Sequence, residues 1–257
     1  MVAVVVVVGV VVAFLAFRPE TIVRDPETNC PERGPSALTA IYLDTTDRVN
    51  PVSREDIVAR LEETVAGTAA DEMVAVFRSA PAGDGEQPLE SLLTRCNPGD
   101  PETASELTQN PRLIRRRLAE EFRAPLDRVF RETLDAAPAD VSALMENIQA
   151  ISVALLSRVR YRDLPKRLVV VSDLLQHSGN LSLYGDVPAY STFGDTLGAA
   201  ALGLDLRDVS VEVLLVQRPQ HERSGGPMDV IEFWTSWVED QGGWLGRVTR
   251  ISGLNPG

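Results

Sequence analysis

The chain has 257 residues, with 25 Lys and Arg against 37 Asp and Glu and a formal net charge of −12 at pH 7. So acidic a balance argues against nucleic acid as a partner, because phosphate binding needs a clustered cationic surface. Arg115, Arg116 and Arg117 form a local basic run, but Arg116 and Arg117 stand four residues before Glu120 and Glu121, the spacing of a paired, solvated helix face.

From Met1 to Phe17 the chain carries no charge and is dominated by valine, and Arg18-Pro19 closes the run. As a helix rising about 1.5 Å per residue it reaches roughly 25 Å, slightly short of a hydrocarbon core of about 30 Å. A secretory signal would end on a small-x-small site, whereas here the sequence reads Ala16-Phe17-Arg18, so we expect an uncleaved transmembrane anchor over residues 1–17. Residues 18–36, rich in Pro, Glu, Asp and Gly, read as a stalk or linker. The remainder, 37–257, is long enough for one large domain with a substantial core.

Cys30 lies in Asn29-Cys30-Pro31 and Cys96 in Arg95-Cys96-Asn97-Pro98-Gly99, both turn-rich settings. A disulfide between them suits an exported chain in an oxidising compartment. Closing so long a loop contributes on the order of 4 kcal/mol in the chain-entropy model. The charge flanks point the other way: Arg18 and Arg24 follow the apolar run and no basic residue precedes it, which read alone puts the body in the cytoplasm. That rule is weakened if the chain lacks a short basic segment through a late start, and we place the soluble domain on the extracytoplasmic side.

The elements then follow in order. Leu38 to Leu43 is a strand of buried type that ends in Asp44-Thr45-Thr46-Asp47. Ser53 with Asp56 reads as a capping box, and Val52 with Ile57 as a hydrophobic staple. Ile57, Leu61 and Val65 continue the apolar face. Glu72 to Arg78 is a second strand, after which 79–111 carries no sustained periodicity and reads as a loop-rich insertion. Ile114, Leu118, Phe122, Leu126, Phe130 and Leu134 mark helix, interrupted near Pro125 by the missing N–H. Leu144, Ile148, Ile151, Leu155 and Val159 mark another.

Leu168 to Asp173, Leu-Val-Val-Val-Ser-Asp, repeats the form of the first strand and its acidic end. A loop to Ser191, a short helix from Thr192 to about Leu202, and a strand over Val209–Val216 come next. The last of these is apolar enough to be buried on both faces, as in a parallel sheet. Pro227 opens a final helix with Trp234, Trp237 and Val238 toward the core, Gly242-Gly243 end it, and Val248 to Ile251 is an edge strand. The alternation gives an α/β, Rossmann-like three-layer sandwich with a mostly parallel central sheet, behind one N-terminal transmembrane helix.

Asp44 and Asp173 therefore stand at strand ends, where an open parallel sheet binds its ligands. An acidic-hydroxyl loop after the first strand and Ser172-Asp173 at the end of a later one resemble the von Willebrand factor A-type domain over roughly residues 37–251. In that family an Asp-x-Ser-x-Ser loop, a later hydroxyl and a later aspartate surround one divalent cation. The resemblance implies a Mg2+ site at Asp44, Thr46 and Asp173, with Ser142 as a distant candidate for the later hydroxyl. Arg48 stands where the second hydroxyl is expected, and a guanidinium has no lone pair to offer a metal; Asp47 could compensate.

Two other readings of the aspartates stay open. They could simply cap neighbouring helices. Alternatively Leu43-Asp44-Thr45-Thr46 resembles the nucleophile loop of haloacid dehalogenase-type phosphatases, although that family has a second aspartate where this chain has Thr46. His177 and His221 lack metal-ligand spacing, and no phosphate-binding glycine loop is present. The functional expectation is a membrane-anchored extracytoplasmic module that binds an unknown protein partner, through a divalent cation; the alternative is a magnesium-dependent phosphatase-type hydrolase using Asp44.

Overall fold

The computed structural model describes residues 22–46, 48–79, 89–103, 110–135, 142–218 and 226–251. The expected anchor at 1–17 lies outside them, as do Asp47 and His221. Among the described residues no helix is long and apolar enough to cross a membrane.

Six strands form one sheet: β1 Leu38–Leu43, β2 Met73–Ser79, β3 Leu89–Cys96, β4 Lys166–Ser172, β5 Val209–Val216 and β6 Trp244–Ile251, in the spatial order β3-β2-β1-β4-β5-β6. All neighbours run parallel except β2 and β3. From β1 the chain winds outward to one edge, then returns to β4 at the other side of β1 and winds to the opposite edge. The order therefore reverses between β1 and β4, which are the two central strands.

Alternation along the strands gives each face its own core. Leu38, Ala40 and Tyr42 face a layer that includes Leu144, Ile148, Ile151, Phe233, Trp234 and Trp237. Ile41 and Leu43 face the other, with Ile57, Leu61, Phe122, Leu126 and Phe130. Helix α1, Pro51–Ala66, and the run α2 Pro111–Arg117 and α3 Ala124–Leu134 supply the second layer; α4, Leu144–Ile151, and α7, Pro227–Asp240, supply the first, beside the short helices α5 Tyr190–Gly194 and α6 Leu197–Ala201.

Several local expectations need correction. Helix α1 begins earlier than the capping box implied: Asn50 accepts from the Ser53 amide at 2.9 Å, Pro51 takes the first helical position, and Val52 is exposed rather than stapled. Asn110-Pro111 starts α2 in the same way, and this Asn-Pro signal, an N-cap followed by a residue with preset φ, is the stronger one. Between α2 and α3 the interruption before Pro125 takes the form of a π-helical turn, Leu118–Arg123, in which the Ala124 amide reaches back to the Ala119 carbonyl. Val159 is exposed, not in line with Leu155, because a π-helical turn at Ser152–Leu156 changes the helical phase.

The segment read as a loop-rich insertion holds β3, so Cys96 ends a strand rather than lying in a loop. Its pattern is half-buried and shows no clean alternation, since β3 is an antiparallel edge strand with an irregularity where β2 passes from Val76 to Phe77. The described part of the expected stalk, 22–36, is docked on the sheet. Arg24 and Arg33 pair with Asp71 at 2.5 and 3.0 Å, the Cys96 amide donates to the Thr28 carbonyl at 2.8 Å, and Cys30 is bonded to Cys96. The disulfide expected from the sequence is thus present, closing a separation of 66 residues.

Candidate functional site at the carboxyl edge of the central strands

The strand register decides which side chains meet. Leu43 pairs with Val171, and the ladder continues one residue further, with the Asp44 amide donating to the Val171 carbonyl at 2.9 Å. Asp44 is thereby set opposite Ser172, not Asp173. The Ser172 hydroxyl donates to Asp44 Oδ2 at 2.8 Å, while Oδ1 accepts from the Thr46 hydroxyl at 2.8 Å and the Thr46 amide at 3.1 Å. Asp44 and Thr46 are each 8% exposed, so this carboxylate is nearly enclosed, with hydrogen-bond donors on both of its oxygens. Neither aspartate is the N-cap of a described helix: Asp44 accepts from Thr46 within its own loop, and Asp173 Oδ1 accepts from the Leu175 amide at 2.9 Å in a turn of its own.

Asp173 is buried, and its Oδ2 lies 3.6 Å from Nε of Arg218, which stands just past the end of β5. Arg218 Nη1 donates to the Arg48 carbonyl at 2.6 Å. Arg218 therefore joins the loop after β4 to the loop after β1. Position 48 takes part through its backbone oxygen, and its side chain is exposed. The sequence reading missed Arg218. A signal for it existed: it stands two residues past an apolar strand, close to the strand-end positions that singled out Asp44 and Asp173.

Below the loops, Tyr42, Ser79 and Asn147 form a buried polar group. Tyr42 Oη and Ser79 Oγ are 2.5 Å apart, and Asn147 Nδ2 donates to both, at 2.9 and 3.1 Å. Burial raises the Tyr42 phenol well above its ordinary value, and the nearby charge of Asp44 adds to this. Thr45 donates to the Ser79 carbonyl at 3.3 Å, which ties the acidic loop to β2.

The loop after Asp173 is held from three sides. Leu174 has φ 63°, a conformation uncommon for a bulky residue. It is fixed by its amide on Ser172 Oγ at 2.9 Å and by the Trp234 indole donating to its carbonyl at 2.9 Å. Gln176 accepts from the Met145 amide at 3.0 Å and donates to Glu146 at 2.8 Å, pinning the loop to the start of α4. The His177 amide donates to the Ser142 carbonyl at 2.7 Å. Ser142 is 5% exposed, and its hydroxyl has no hydrogen-bond partner among the described residues.

The parallel sheet between two helical layers is Rossmann-like. Its strand order, its single antiparallel edge strand β3 and its polar loops at the ends of β1 and β4 make it a von Willebrand factor A-like fold. Neither a scan of protein-family models nor a search of curated proteins gives a match. Solved structures that align with the chain include BatB, a conserved hypothetical protein from Bacteroides thetaiotaomicron, at 13% identity over 85% of this chain and 92% of that one, TM-score 0.42. Others are the SpRpn10 VWA domain, at 12% identity over 86% and 90%, TM-score 0.43, and an aerotolerance-related membrane protein from Bacteroides fragilis NCTC 9343 with multiple mutations to serines, at 11% over 84% and 92%, TM-score 0.36.

Proposed function

We propose that the chain is a membrane-anchored, extracytoplasmic von Willebrand factor A-like module that binds a protein partner with the loops at the carboxyl ends of its central strands. The observation that carries this is the gathering of Asp44, Thr46, Ser172, Asp173 and Arg218 where the strand order reverses, the place where open α/β sheets bind ligands. The anchor is argued from the apolar run at 1–17, and the outer location from that run together with the Cys30–Cys96 bond, which belongs to oxidising compartments.

The residues suit a resident Mg2+ poorly. A guanidinium already faces Asp173, both oxygens of Asp44 accept hydrogen bonds, and position 48 offers no hydroxyl. Among the described residues no three acidic, histidine or cysteine side chains are grouped as a metal centre. The phosphatase alternative gains nothing from the geometry: the residue two positions after Asp44 is Thr46, which donates to it instead of serving as an acid.

The test is site-specific photocrosslinking in intact envelopes, with a benzophenone side chain placed at Arg48, in the candidate site, or at Arg116, on an exposed helix. A discrete adduct from position 48 that is absent from position 116, and that falls at least tenfold when Asp44→Ala is added, is the expected result. Equal adducts from both positions would show that these loops are not the binding surface.

A further inference from the structure

We propose that Arg218 supplies, from within the chain, the positive charge and the cross-loop ties that a divalent cation supplies in sites of this layout, so that the site works without metal. The functional consequence rests on the partner-binding reading above; the electrostatic claim is tested separately from it.

A divalent ion among strand-end carboxylates does two things. It neutralises groups that would otherwise repel one another, and it fastens several loops to one point. Arg218 does both. Its Nε faces Asp173 Oδ2 at 3.6 Å, and its Nη1 donates to the Arg48 carbonyl at 2.6 Å, so one side chain reaches the loops after β4 and β1 from the end of β5. The pair is well shielded from solvent, with the Arg218 side chain 18% exposed and that of Asp173 3% exposed. A planar, permanently charged fork with several donors suits this role, whereas a lysine is a point charge. Asp44 has donors of its own in Thr46 and Ser172, one side chain in its own loop and one on the neighbouring strand end.

The departure at position 48 now has a physical sense. The loop loses a hydroxyl ligand, and its backbone turns a carbonyl toward the guanidinium instead. A metal ion entering beside a fixed guanidinium would be repelled by it. Removing the guanidinium would leave Asp44, Thr46, Asp173 and the Ser142 hydroxyl, which has no hydrogen-bond partner among the described residues, an all-oxygen set of the kind hard cations take. Ser142 belongs to the same neighbourhood through its bond to His177, four residues beyond Asp173.

The experiment uses the full chain in detergent, stripped with EDTA, and follows two readouts: thermal unfolding by tryptophan fluorescence, and capture of Mn2+ by loss of its free-ion electron paramagnetic resonance signal. The wild type is expected to capture no Mn2+ and to melt at the same temperature with and without millimolar Mg2+ or Mn2+. Arg218→Gln is expected to melt roughly 5 to 10 °C lower in metal-free buffer, since it strands a buried carboxylate. It should also gain stoichiometric Mn2+ capture with at least tenfold higher affinity than the wild type. Stoichiometric Mn2+ capture by the wild type overturns the proposal, as does an Arg218→Gln chain that is folded, equally stable and indifferent to metal. If that variant does not fold, the wild-type measurement still decides: capture refutes, and its absence supports. Neither readout involves a partner, so a failure here leaves the binding surface to its own crosslinking test.

Discussion

Replacing both Cys30 and Cys96 with alanine removes a cross-link that spans 66 residues and ties the docked segment 22–36 to the end of β3. Loop closure of that length lowers the entropy of the unfolded chain by about 15 cal/mol/K, or about 4 kcal/mol at 25 °C. For a domain of this size each kcal/mol is worth roughly 2 to 4 °C in melting temperature, so the double variant should melt roughly 8 to 16 °C lower. Alanine is the right substitution because Cys30 and Cys96 are both buried, and a serine there would add the cost of an unpaired hydroxyl. The measurement is thermal unfolding by tryptophan fluorescence, compared with the oxidised wild type and with the wild type reduced under denaturing conditions and alkylated. A loss under about 2 °C would refute the reasoning, because it would mean that the bond does not constrain the unfolded ensemble. Alkylation of protein taken from intact envelopes supplies the second half: the thiols should resist labelling until a reductant is added, and free labelling of both would remove the support for an outer location.

Asp44→Asn should cost about 1 to 3 kcal/mol in denaturant unfolding, because it weakens hydrogen bonds from Thr46 and Ser172 to a buried charged group. The same variant and the wild type should both leave an aryl phosphate intact in the presence of Mg2+; turnover by the wild type that Asp44→Asn abolishes would establish the hydrolase instead. Tyr42 gives a pH test: its phenol is held above the ordinary value of 10.0 in the fold, so the unfolded state gives up that proton first as pH rises. Stability from this residue is complete below pH about 10 and falls above it, and Tyr42→Phe should flatten that alkaline decline. Gly242→Ala should destabilise by about 1 to 3 kcal/mol in denaturant unfolding, because a Cβ there would meet Arg207 Cγ at 2.9 Å and the backbone has φ 85°.

Much of the sheet was legible because buried parallel strands leave a strong mark in one dimension. Leu38–Leu43 and Val209–Val216 are read with the same limits in sequence and in structure, since a strand covered on both faces must be apolar at nearly every position. The core faces of α1 and α7 were legible for a related reason: Ile57 and Leu61, or Trp234 and Trp237, recur at helical spacing. Strand β3 was not, because an edge strand packs one side only and is punctuated like a loop. The two π-helical turns were equally hidden, since they show only as a slip in phase at Pro125 and between Leu155 and Val159.

The sequence by itself determined that two carboxylates end two buried strands, that two cysteines stand next to turn-forming residues, and that an uncharged run precedes an acidic domain. Local patterning suffices for each, because burial and turn chemistry act on neighbouring residues. Only the tertiary structure decided which groups those carboxylates meet. The register between β1 and β4 sets Asp44 against Ser172 and leaves Asp173 to Arg218, 45 positions further along the chain. A pairing between residues so far apart depends on strand order and register, and no local periodicity records either.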